Sequence, residues 1–151
     1  MALSLFRRKP KEEVKGAEAQ PSPDRTLIEE LCGSDKELCN ASSILVLMNP
    51  DLVVKEGVDS FAAKAQEYER AKDAVKARIA YQVAGGIALY EGKLSKAQSL
   101  FKKAAEIDPS YTFRRVFDYI NKKENAERVL AIAQKYYSRM DKQLTRLTTV
   151  T

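Results

Sequence analysis

The segment from Asp73 to Tyr90 constrains this chain more than any other. Ala74, Ala77, Tyr81, Ala84 and Ala88 fall on one helical stripe, and Ile79, Val83, Ile87 and Tyr90 fall on a second. Apolar residues recurring at steps of three and four predict a helix. A helix that is apolar nearly all round has to be covered by neighbours on several sides. Gly85 and Gly86 stand in its middle. A glycine there weakens a helix by up to about 1 kcal/mol against alanine, so the pair predicts that another backbone comes close. The chain therefore needs further helices around this one.

The punctuation of the sequence supplies them. Ser22-Pro23 reads as a cap followed by a proline in the first turn. A short helix through Leu27, Ile28 and Leu31 should stop at Gly33. Ser34 and Glu37 have capping-box spacing. The helix they open carries Leu38, Ile44, Leu45, Leu47 and Met48 as far as Asn49-Pro50. Val54, Val58, Phe61, Ala65 and Tyr68 then predict one helix from Asp51 to about Ala71, with Gly57 inside it. After Gly92, the residues Leu94, Ala97, Leu100, Phe101, Ala104 and Ile107 make the next amphipathic helix, and Asp108-Pro109 repeats the cap-plus-proline signal. A helix with Phe113, Val116, Phe117 and Ile120 follows. The last runs from about Glu124 through Val129, Ala133, Met140 and Leu144.

About six helices are thus expected in a single domain over 22–146. A charged arm, too polar to bury a core, is expected over 1–21, and a loose tail over 147–151. Six glycines and five prolines in 151 residues leave few turn residues for a sheet sandwich. No run of eighteen apolar residues predicts a membrane span. The opening apolar stretch is too short for a signal peptide, and Arg7, Arg8 and Lys9 follow it instead of preceding it. A cytoplasmic location is expected, with at most weak membrane contact through the arm. Cys32 and Cys39 are too few for a disulfide framework or a zinc site; two separate thiols are the main expectation, and a disulfide, suited to an oxidising compartment or some hyperthermophiles, is the minor one.

The segment from Tyr81 to Pro109 carries the most specific pattern. Tyr81, Ala84-Gly85, Ala88, Ala97, Phe101, Ala104 and Pro109 keep a fixed spacing. This resembles a tetratricopeptide repeat, whose pattern is an aromatic, a Leu-Gly pair, a Tyr, then Ala-x-x-x-Phe and a closing Pro. Ala84 and Ala88 depart from it, standing where the family prefers larger residues. Phe61, Ala65, Tyr68, Ala77 and Tyr81 repeat part of the spacing twenty residues earlier, which is one helix step and not a tandem repeat. The expected fold is all-α, with antiparallel helical hairpins in a short tetratricopeptide-like superhelix or bundle. The resemblance implies a non-catalytic adaptor or assembly subunit that holds protein partners. Phe61, Tyr68, Tyr81, Tyr90 and Phe101 are the candidate frame of a partner-binding groove.

Catalysis has little to work with. The chain has no histidine, hence no imidazole base, triad or metal site, and Gly85-Gly86 lacks the lysine and hydroxyl of a phosphate loop. No cofactor and no metal are expected. The rival reading is a nucleic-acid-binding protein. Residues 110–151 carry nine basic and four acidic side chains, and Arg128, Lys135, Arg139 and Lys142 recur at helical steps. Such a stripe, with tyrosines interleaved, suits phosphates and stacked bases.

Overall fold

The computed structural model describes residues 23–150, with side chains described over 27–140 apart from 52. The expected arm over 1–21 lies outside the described residues. Seven α-helices follow one another, with no strand among the described residues: α1 (Pro23–Cys32), α2 (Lys36–Leu45), α3 (Gly57–Arg70), α4 (Ala74–Tyr90), α5 (Leu94–Ile107), α6 (Arg114–Ile120) and α7 (Lys123–Val150). The fold is all-α, and adjacent helices pack antiparallel as a bundle.

Several helix ends differ from the sequence expectation, each for a local reason. The cap of α2 is Asp35, not Ser34: its carboxylate accepts the Leu38 N–H at 3.1 Å. An aspartate one residue later places a full negative charge on the helix N-terminus, which a serine hydroxyl cannot. Cys32 ends α1 and Cys39 lies in the first turns of α2, and the two are joined as a disulfide with Cα atoms 5.4 Å apart. The expectation of separate thiols is overturned, because the turn at 33–35 folds α2 back over the end of α1.

Helix α2 ends at Leu45 instead of reaching Asn49, since Val46 is extended at ψ 132°. The freed backbone is caught from far along the chain. Leu47 N–H donates to the Tyr137 hydroxyl, and the Tyr136 hydroxyl donates to the Met48 carbonyl, both at 2.9 Å. These bonds satisfy groups that would otherwise be costly to leave unpaired. The single helix expected from Asp51 is also overturned. Pro50–Leu52 forms one 3-10 turn, and Gly57, at φ +86°, breaks the run so that α3 begins there. Asp108-Pro109 opens no helix, because the Asp108 side chain turns inward. The tail expected to be loose from 147 is helical through Val150, as α7 meets no glycine or proline to stop it.

Helix α4 is the hub. It touches α2, α3, α5 and α7, while α7 crosses α1, α2, α4, α5 and α6. The glycine pair explains how so many elements reach one helix. A Cβ on Gly85 would stand 2.5 Å from the Phe101 ring of α5, and one on Gly86 would stand 2.8 Å from Leu47 and 3.3 Å from the Leu45 carbonyl. Neither approach leaves room for a methyl group. Phe101 in turn stacks on Phe117 of α6 at 6.0 Å, which joins the α4–α5 hairpin to the layer under α7. No helix among the described residues is long and apolar enough to cross a membrane.

Gly85→Ala therefore tests the packing directly. Helix propensity alone would favour alanine, yet overpacking against Phe101 should cost about 1–3 kcal/mol. A thermal melt should fall by roughly 2–4 °C for each kcal/mol in a domain of this size. An unchanged or higher melting temperature would disprove the close contact.

Candidate functional site

The hub helix is not covered along its whole length. From Ala84 to Leu89 it is buried on every side, but Val75 and Ile79 in its first half remain 54% and 46% exposed. In that first half Ala77, Arg78, Ala80 and Tyr81 are buried, and the face that carries Val75 and Ile79 meets solvent.

A cleft of about 290 Å³ opens there between α3 and α4, with Phe61, Lys64 and Tyr68 as one wall and Lys76, Ile79 and Val83 as the other. The lysines sit over the aromatic rings: Lys64 Nζ is 4.6 Å from the Phe61 centroid and Lys76 Nζ is 5.8 Å from that of Tyr68. Each also pairs with a carboxylate that does not line the cleft. Lys64 is 2.7 Å from Glu56 and Lys76 is 3.9 Å from Asp73. Exposed pairs of this kind are worth little.

Ile79 and Val83 also border a second cleft of about 290 Å³, whose far wall comes from Ile44, Leu47 and Tyr111. A fixed polar network holds that wall. The Arg78 Nε donates to Asp108 at 3.1 Å, its Nη1 donates to Gln82 at 3.0 Å, and its guanidinium lies 3.6 Å over the Tyr111 ring. Gln82 then donates to the Ile44 carbonyl at 3.1 Å, and Ser110 donates to the second Asp108 oxygen at 2.9 Å. The result is an apolar strip on α4, with Ile79 and Val83 between the two clefts and Val75 exposed one turn before them.

The five aromatic residues expected from the sequence do not share one surface. Phe61 and Tyr68 line the cleft. Tyr81 is 1% exposed, and its hydroxyl donates to Glu69 of α3. Burial first, and then the Glu69 carboxylate, push its phenol up to about 12. Tyr81 is thus a neutral core tyrosine tying α4 to α3. Phe101 is wholly buried against Gly85. Tyr90 lies at the opposite end of α4, with its ring edge-on to Tyr137 at 4.7 Å. Tyr81 and Phe101 are thus core residues that line neither cleft. Sequence reasoning missed Lys64 and Lys76 as cleft residues and Val75 as an exposed apolar one beside them. The signal was the step of four from Val75 to Ile79 to Val83, which carries the second stripe back to the start of the helix.

Of the basic residues, Arg128 and Lys135 are exposed on α7, as is Arg139, which lies 3.5 Å from Glu30 of α1. Lys142 is on the same helix, beyond the described side chains. Arg128 stands beside Tyr119, whose phenol is pushed up by burial and by Asp35 despite that arginine. A further cleft of about 420 Å³ lies between α2, α6 and α7 and mixes Glu37 and Asp118 with Arg115 and Lys122. The positive stripe thus has a carboxylate of α1 beside it at Arg139. Among the described residues no cluster of three or more acids or cysteines could hold a metal ion. No family model matches the chain, and comparison with curated proteins and with solved structures found no match.

Arg78→Ala should destabilise by about 3–5 kcal/mol, because Asp108 is left buried without its partner. Arg78→Met combined with Asp108→Leu should recover much of that loss. Denaturant midpoints of the two variants check this, and equal losses would show that the charge pair is not what matters.

Proposed function

We propose that this protein is a non-catalytic protein-binding module, an adaptor or assembly subunit, that uses the apolar strip of α4 as its docking surface. The observation that carries the reading is the exposure of Val75 and Ile79 on the helix whose other faces supply much of the core. Contiguous apolar surface flanked by rigid walls is characteristic of interaction sites. The absence of histidine from the sequence and the resemblance of Tyr81–Pro109 to a tetratricopeptide repeat both favour binding over catalysis. The runner-up, nucleic-acid binding through Arg128, Lys135, Arg139 and Lys142, is weakened by Glu30 beside Arg139. The Cys32–Cys39 disulfide weighs against a reducing cytoplasm as the protein's setting, since such bonds persist chiefly in oxidising compartments and in some hyperthermophiles.

Affinity capture from native lysate, with and without nuclease, tests the reading when run beside Ile79→Asp. That side chain is exposed, so the variant should melt within about 0.5 kcal/mol of the parent. Proteins retained after nuclease and lost with Ile79→Asp are expected. Capture that vanishes with nuclease, and with glutamate at the four basic positions, would replace this reading with the nucleic-acid one.

A further inference from the structure

We infer that the α3–α4 groove receives an amphipathic helix of another protein, with carboxylates flanking the apolar stripe of that helix. The inference rests on the docking role proposed above and specifies the partner's chemistry.

The argument for a helix comes from the backbone. The groove is walled by residues 61–68 of α3 and 76–83 of α4, both within helices, and the Lys76 N–H in the first turn is taken by the Asp73 cap. Their N–H and C=O groups are spent on their own helices. An extended peptide laid there would find no backbone partners for its own polar groups, a costly arrangement once water is excluded. A helical occupant satisfies its own backbone. The geometry suits it as well. Val75, Ile79 and Val83 form a ridge at steps of four, about 12 Å long at the rise of an α-helix, and such ridges pack into the grooves of a neighbouring helix.

The argument for carboxylates comes from charge. Lys64 and Lys76 are the ionic groups that line the cleft, one on each wall, and no carboxylate lines it. Glu56 and Asp73, which do not line the cleft, hold them through exposed pairs that an incoming acid can replace. The ammonium groups are already positioned over Phe61 and Tyr68. A partner that presses apolar side chains onto Ile79 and Val83 brings its flanking residues against these two cations, so acidic flanks are favoured and basic ones repelled.

The same sign rule disfavours the nearest alternatives. A second copy docking through the same face would set two lysine rims against each other. The chain's own Leu3, Leu5 and Phe6 are followed directly by Arg7, Arg8 and Lys9.

The test is selection of a displayed library of helix-forming amphipathic peptides, with randomised flanking charge, on the full-length chain. Parallel selections use Ile79→Asp and the double variant Lys64→Glu/Lys76→Glu, each checked for an unchanged melt by circular dichroism. Enriched peptides should carry Asp or Glu beside the apolar stripe. Their synthetic forms should weaken tenfold or more on the double variant, which should itself enrich Lys- and Arg-flanked peptides. Enrichment lost with Ile79→Asp but with neutral or basic flanks would overturn the partner chemistry while leaving the docking surface intact. No enrichment, or enrichment indifferent to Ile79→Asp, would overturn both.

Discussion

The approach of two neighbours to the backbone of one helix underlies the rest of this structure. At Gly85 the ring of Phe101 lies against α4, and at Gly86 the exit of α2 does so through Leu47 and Leu45. Two missing side chains in succession let α4 be gripped from both sides at one level. Larger residues would push both neighbours outward and open the core, because protein interiors are packed too closely to absorb the change. The weak helix propensity of the glycines is the cost of that closeness.

What is gripped at the glycines is then fixed from a distance. The segment leaving α2 gives up helical hydrogen bonding, and the adjacent hydroxyls of Tyr136 and Tyr137 take over the backbone groups of Leu47 and Met48. Burial pushes the Tyr137 phenol up, so it stays protonated. Helix α7 therefore does more than cover the bundle with Val129, Ala133 and Tyr136. It sets where α2 ends, and through Leu47 it sets one flank of the α4 strip. The Arg78 network of Asp108, Gln82 and Tyr111 braces the same flank from the α5–α6 side. The opposite flank, α3, is tied by the bond from Tyr81 to Glu69.

An apolar strip framed this way is expensive to leave exposed, and the structure has not shortened or polarised it. Valine and isoleucine stand at solvent-facing positions where alanine or lysine would serve helix formation better. Beside them, lysines reach over aromatic rings instead of into open water. On α7, by contrast, the long basic side chains follow the ordinary pattern of a solvated helix face, one of them paired with a glutamate of α1. The two surfaces read very differently in the folded molecule, although in the sequence the basic stripe is the more conspicuous.

The sequence by itself determined the all-α class, the turn positions at Gly33 and Gly92, the start of α4 near Asp73 and the close approach at Gly85 and Gly86. These are local matters of period, capping and side-chain size, and residues within a few positions of one another decide them. Part of the site was legible too: Phe61 and Tyr68 were recognisable as groove aromatics, and Ile79 and Val83 as a second apolar stripe. The tertiary structure alone decided which apolar residues lie inside. Tyr81 and Phe101 share a helical pattern with the groove residues, and only the placement of α3, α5 and α6 buries them. Only the positions of α2 and α7 leave Val75 and Ile79 uncovered. The end of α2, the pairing of Cys32 with Cys39 and the inward turn of Asp108 likewise escaped the sequence. Each depends on a partner supplied by the fold, and periodicity reports which face of a helix is apolar without reporting what comes to cover it.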